Sequence, residues 1–333
     1  MRTLHTTPRL VVSDGQGHVF DIPELETVVM SGNRSLVAKG SDFIALPHGS
    51  TLFELPQRHP LGYDPARGKI VTLTQYGGRP VYAVAAFLAP AYTQLYRTAY
   101  LARPDAGRLP LFAYTAVGWA GRGFYVPAVR VDRDVRQDPL QFNETTIRRR
   151  ATLLLKKFPG NRLVSHLVEN CVRRYHCPAA QNWAMGRWEA PIPTSPSCNA
   201  SCVGCISRQK DSGIQSTQDR LTFVPTVSEI VEYTVPHLQK APRAVASFGQ
   251  GCEGEPLLQG ELLIEAVKAI RRRTDRGIIN LNSNASRPDI VEQLCRAGLD
   301  SLRVRLNSAQ PGLYTKYFSP RGYGMDDVLA SIA

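Results

Sequence analysis

Cys198-Asn199-Ala200-Ser201-Cys202-Val203-Gly204-Cys205 places three thiols within eight residues, spaced Cys-x3-Cys-x2-Cys. Pro191, Pro193 and Pro196 precede the stretch and Gly204 lies inside it. That is loop composition, which lets the backbone curl and aim three sulfurs at one point. Iron–sulfur clusters usually take four cysteines. Three thiolates hold three irons of a 4Fe–4S cube and leave the fourth iron open to a substrate or cofactor. Zinc is the competing reading, but it calls for a fourth ligand, commonly from a second Cys-x2-Cys or a His pair. No histidine lies between His176 and His237. Three core cysteines bunched by chance form the third alternative, although buried structural cysteines tend to follow helix or strand periods.

The motif resembles the signature of radical S-adenosylmethionine (SAM) enzymes, Cys-x3-Cys-x2-Cys after a short strand. The likeness continues downstream. Ala244-Val245-Ala246-Ser247-Phe248 reads as a buried strand running into Gly249-Gln250-Gly251-Cys252-Glu253-Gly254-Glu255-Pro256. This is similar to the family's Gly-Gly-Glu-Pro motif, with Glu253 in place of the first Gly. Ile278-Ile279-Asn280-Leu281-Asn282 leads to Ser283-Asn284-Ala285, which resembles a Thr-Asn-Gly strand end, and Val304-Arg305-Leu306-Asn307-Ser308 resembles a fourth strand with a polar tip. The resemblance covers about residues 188 to 333.

The resemblance implies a fold, cofactors and a reaction. The fold is a partial (β/α)6 TIM-like barrel, in which sites lie at the C-terminal strand ends. Cys198, Cys202 and Cys205 would hold the 4Fe–4S cluster. SAM would be held by Gly254, Glu255 and Pro256 toward its amine, by Ser283 and Asn284, and by Asn307 and Ser308 toward the ribose. The reduced cluster splits SAM into methionine and a 5′-deoxyadenosyl radical that abstracts hydrogen from an unreactive carbon of a substrate the sequence does not name. The partner is an electron donor such as flavodoxin or ferredoxin. The family usually carries an aromatic just before the third cysteine, packed near the adenine; here that position is Gly204, so Val203 or Ile206 takes over the contact or the adenine is held differently. No catalytic side chain is assigned.

A chain of 333 residues, 43% hydrophobic, is long enough for two domains with packed cores. The net charge of +12 is uneven: residues 1–190 hold 24 Lys and Arg against 14 Asp and Glu, and residues 191–333 hold 16 against 14. The basic half favours an anionic partner such as nucleic acid or a phosphorylated substrate; a basic surface kept for solubility fits equally well. Two alternative functions follow: an RNA-modifying radical SAM enzyme, suggested by the basic half, and a non-catalytic iron–sulfur or zinc-binding module, suggested by a barrel whose last units are not found in the sequence. Met1-Arg2-Thr3-Leu4-His5 opens no signal-like apolar run, and no stretch approaches the ~20 apolar residues that span a bilayer. Seven cysteines, three of them clustered, point to a reducing cytoplasm rather than a disulfide framework.

Three regions are expected: a β-rich domain over 1–136, a helical connector over 137–186 and a radical SAM core over 187–333. In the first, short β-favouring runs such as Leu10-Val11-Val12, Val81-Tyr82-Ala83-Val84, Leu111-Phe112-Ala113-Tyr114 and Phe124-Tyr125-Val126 alternate with turn signals such as Asp14-Gly15 and Gly77-Gly78, as in a small barrel or sandwich. Ala89 to Tyr100 reads as a mixed helical pattern. Tyr92, Tyr96, Tyr100, Tyr114, Trp119, Phe124 and Tyr125 fill a β core or, interleaved with Arg97, Arg103, Arg108 and Arg122, stack on bases; the core reading is the favoured one.

In the connector, Asn143 caps a helix with Ile147, Ala151, Leu154, Leu155 and Phe158 on one face. A second helix carries Leu163, Val164, Leu167, Val168, Cys171 and Val172, so Cys171 reads as packing rather than ligation; Cys171 and Cys177 could contribute to a second cluster, a reading disfavoured because too few cysteines are left over. From Trp188, strands and helices alternate: strands near 187–192, 244–248, 277–282 and 301–306, a helix from Thr226 with a capping box to Glu229, and a helix over 288–297 closed by Gly298, with Cys295 on its apolar face. Val328, Leu329 and Ile332 begin an apolar helical face with no stop signal after it. Only about three and a half of the six βα units are counted, so the expectation is a barrel truncated after about four strands in a fragment of a longer product.

Overall fold

A computed structural model describes residues 4–209 and 212–333. Met1, Arg2 and Thr3, on which the leader reading partly rests, lie outside the described residues. The chain divides into two compact units, Met1–Phe142 and Asn143–Ala333.

In the first unit, the described residues form a 13-stranded antiparallel sheet and a small two-stranded one. Arg9–Ser13 pairs with Val19–Ser31 across a turn in which the Asp14 carboxylate accepts from the amides of Gln16 and His18. Neighbouring strand residues point to opposite faces. Val11 packs with Val84, Val117 and Val126, while Leu10 and Val12 pack with Ile22, Leu25 and Val81. Both faces of this strand are buried, which is why it reads as an unbroken apolar run.

The aromatic residues largely fill core. Trp119 and Phe124 pack edge to face at 4.9 Å beside the first cluster. Tyr96 and Tyr125 lie against Val29 and Phe43, and Tyr100 and Tyr114 lie against Leu55. The expected helix over Ala89 to Tyr100 is instead the strands Tyr92–Gln94, Arg97–Thr98 and Tyr100–Ala102. The i, i+4 spacing of three tyrosines imitated a helical face, but Tyr and Thr suit a pleated surface, and each segment finds an antiparallel partner. Leu111 to Tyr114 forms no strand; Phe112 packs on Phe53 and Phe87 instead.

The described residues of the second unit form four parallel strands in sequence order: Glu189–Ile192, Val245–Phe248, Ile278–Ser283 and Ser301–Val304. Ile192 pairs with Phe248, Phe248 with Leu281 and Leu281 with Leu302, so the strands run in step and their C-terminal ends share one side. Local chemistry sets the helix ends. Thr226 and Glu229 exchange capping bonds ahead of Val227–Lys240, and Gly298, in the left-handed region, closes Pro288–Ala297. Cys295 on that helix is exposed, which corrects its expected core position. Ile290, Val291 and Leu294 form the buried stripe, and the next residue is turned about 100° away.

The helices that follow Asn143 group with this unit. Asn143 caps Glu144–Lys157 through a bond to the Thr146 amide, and Ile147, Ala151 and Phe158 are buried. Asn161 caps Arg162–His166, and its amide nitrogen reaches the Glu229 carbonyl and the Glu232 carboxylate. Leu163, Val164, Leu167, Val168, Cys171 and Val172 are all buried as expected, but from Leu167 to Arg174 the turn widens into a π-helix. Trp183, on Pro178–Ala184, packs edge to face on Tyr233. A helix not expected from the pattern, Pro311–Phe318, buries Tyr314 and Phe318 against Ala285 and Val328.

Candidate functional site

The cysteine stretch leaves the end of the first parallel strand as a loop held from two sides. On one side, the amide of Gly254 donates to the Ser195 carbonyl at 2.6 Å and that of Glu255 to the Ser197 carbonyl at 2.8 Å. A Cβ on Gly254 would lie 1.8 Å from the Ser197 oxygen, so only glycine permits this approach. On the other side, the amides of Ser201 and Val203 donate to the carbonyls of Phe318 and Tyr317, and the Arg321 guanidinium reaches the Cys198 carbonyl.

Glu253, which replaces the first Gly of the resembled motif, ties this arrangement together. Its carboxylate accepts from the amides of Thr194, Ser195 and Gln250 at 2.7, 3.0 and 2.6 Å, and from the Thr194 hydroxyl. Burial nevertheless pushes its pKa up to about 7.

Cys198, Cys202 and Cys205 line one cavity of about 920 Å³. All three are free thiols. Burial, followed by the neighbouring Cys198 and Cys205, pushes the Cys202 thiol up to about 11. Burial also raises Cys198. Burial acts upward on Cys205 too, but the Ser207 amide and hydroxyl, with Arg220 and the Arg208 amide, outweigh it and lower the thiol. Arg220 donates to the Cys205 sulfur at 3.5 Å and to the Ser207 hydroxyl at 3.2 Å. A cation against one sulfur favours its thiolate, the form that binds metal.

The other expected site residues fall into two groups. Gly254 lines the cavity, whereas Glu255 stands behind its wall, 4% exposed. Its carboxylate accepts from the Ser283 hydroxyl, the Asn284 amide and the Leu257 amide, the last at the start of the short helix opened by Pro256. Glu255, Pro256, Ser283 and Asn284 are thus assembled as one buried bracket. Asn284 also donates to the Asn199 side chain at 2.8 Å, joining the bracket to the cysteine loop. Asn307 is exposed, and the Ser308 hydroxyl accepts from the Gln310 amide; neither is among the described residues that line the cavity.

The cavity also has residues that motif reading passed over. Asn280 and Asn282 on one strand, with Ser301, Arg303 and Arg305 on and just after the next, alternate with Ile279, Leu281, Leu302 and Val304. Parallel strands covered on both faces read as continuous apolar runs, so this polar alternation was the available signal. Tyr317 also lines the cavity, and its hydroxyl lies 2.6 Å from where a Cβ on Gly204 would stand.

Among the described residues, the trio of metal-type donors whose ligand atoms all lie within 4.8 Å of one another is His166, Cys171 and Cys252, not the three loop cysteines. Among the described residues, no helix is long and apolar enough to cross a membrane.

Comparison of the sequence with curated proteins gives no match. Residues 192–333 match the family model described as the Radical SAM superfamily, a match that supports membership of that superfamily.

Proposed function

We propose that the second unit is a radical SAM enzyme, with Cys198, Cys202 and Cys205 as ligands of a 4Fe–4S cluster and the adjoining cavity as the SAM and substrate site. The superfamily is one of enzymes that normally use this cluster and SAM. The observation that carries the reading is that the three free thiols open into a single cavity with the polar face of the last two parallel strands. When bound, the cluster and SAM would supply a 5′-deoxyadenosyl radical for hydrogen abstraction.

The chain's own residues would do the holding. Arg220 offsets negative charge at Cys205, and Arg303 and Arg305 give the cavity a positive wall suited to a carboxylate. The amides of Thr194 and Ser195, bound to Glu253, and those of Gly254 and Glu255, bound to Ser195 and Ser197, keep the cysteine loop in place. Tyr317, beside Gly204, would provide the ring surface for adenine that the residue before the third cysteine usually provides. A one-electron donor of the flavodoxin or ferredoxin type would be the partner.

The test is anaerobic reconstitution with iron and sulfide, followed by dithionite and SAM. The expected result is about three to four irons per chain, lost on Cys202→Ala, and release of 5′-deoxyadenosine. A reconstituted chain that holds the cluster and releases none contradicts the proposal.

A further inference from the structure

We propose that His166, Cys171 and Cys252 form a second metal site, mononuclear and selective for a thiophilic divalent ion of the zinc type. This inference stands independently of the cluster reading, because it uses none of the three loop cysteines.

The backbone makes the first half of the site. His166 and Cys171 are five residues apart, which on an α-helix turns them about 140° from each other. From Leu167 to Arg174 the helix is instead of the π type, with hydrogen bonds to the fifth residue along. That wider turn brings positions five apart onto one face. Such segments are rare and concentrate at functional positions. The amide of Cys177 donates to the Cys171 carbonyl at 2.8 Å and closes the turn.

The second half comes from the loop after the second parallel strand. Cys252 is 4% exposed, and its carbonyl accepts from the Leu221 amide at 2.7 Å. Its sulfur stands 3.7 Å from that of Cys171, which is 2% exposed. Two sulfurs bound tetrahedrally to zinc at about 2.3 Å would be about 3.8 Å apart. A ring nitrogen of His166 completes a trio with all donor atoms within 4.8 Å. The His166 Nε2 atom is buried and has no hydrogen-bond partner. Buried polar atoms are normally satisfied, and an exception calls for a reason such as an ion.

Two thiolates and an imidazole make a borderline-soft donor set that suits zinc rather than magnesium or calcium. The fourth tetrahedral position is left to water or to Cys177. An ion here would fasten the π-helical segment to the loop that carries Glu253 and Glu255.

The test uses the full chain with Cys198, Cys202 and Cys205 all changed to Ala, purified without oxygen and titrated with cobalt(II). The expected result is one cobalt per chain, with thiolate-to-cobalt charge-transfer absorption and a rise in melting temperature. Adding Cys171→Ala or Cys252→Ala should remove the absorption, and adding His166→Ala should weaken binding at least tenfold. Those variants could lose the fold, so X-ray absorption at the zinc edge is measured on the variant that keeps all three donors after loading with one equivalent of zinc, where at least two sulfurs and one nitrogen are expected. Oxygen and nitrogen scatterers only, a brown iron chromophore in that variant, or a Cys171–Cys252 disulfide in the anaerobic chain would each overturn the proposal.

Discussion

The amide of Glu255 donates to the carbonyl of Ser197 at 2.8 Å, so the loop after the second parallel strand is fastened to the residue just before Cys198. The contact forms because Gly254, the preceding residue, has no side chain to meet that same carbonyl. Gly254→Ala should therefore push the two loops apart. Overpacking of this kind costs about 1–3 kcal/mol. Urea unfolding of the iron-free chain should show that loss, and the reconstituted variant should hold less iron; an unchanged midpoint would contradict the contact.

Glu255→Ala should act through the bracket rather than through a lost ligand contact. It strands the Ser283 hydroxyl and the amides of Asn284 and Leu257, each bonded to the carboxylate. Buried unsatisfied groups cost about 1–3 kcal/mol each. The expected result is a stability loss of about 3 kcal/mol or more in the absence of SAM. A variant as stable as the parent, weakened only in SAM affinity by calorimetry, would instead return Glu255 to the cavity.

Glu253 predicts a pH dependence. Its carboxyl is raised from 4.5 to about 7, with burial as the cause. Between those values the folded chain keeps a proton that the unfolded chain releases, so stability falls as pH rises through the window and levels off above it. Glu253→Gln removes that titration. The stability difference, parent minus variant, should shrink from about pH 5 to about pH 7 and then stay constant. A difference that grows with pH would mean that the carboxyl is lowered.

The three loop thiols should react unequally in the iron-free chain. Cys205 is lowered and Cys202 is raised to about 11. Near pH 8, Cys205 should be alkylated by iodoacetamide roughly tenfold faster than Cys202, or more. Arg220→Ala should slow Cys205 without speeding Cys202. Equal rates by peptide mass spectrometry would dismiss the role of Arg220.

Tyr317 is tested by truncation and by a conservative change. Tyr317→Ala should weaken SAM binding about tenfold, in line with about 1–1.5 kcal/mol for an aromatic contact, and Tyr317→Phe should retain most of it. Because Tyr317 also packs edge to face on Phe318, the melting temperature is read alongside. Unaltered affinity in the folded Ala variant would place the adenine elsewhere.

What the sequence determined alone is what is made within a few residues. The Cys-x3-Cys-x2-Cys loop, the Thr226–Glu229 capping box, the Asn143 cap and the Gly298 stop are all local hydrogen bonding or local geometry, so spacing announces them. Tertiary structure decided the contacts between segments that lie far apart in the sequence. Cys171 meets Cys252 across 81 positions, and Tyr317 fills the space beside Gly204. The burial of Glu255 behind the cavity wall and the π-helical turn that turns His166 toward Cys171 are of the same kind. No periodicity encodes such contacts, because they are set by how side chains from distant segments pack once the strands are in register.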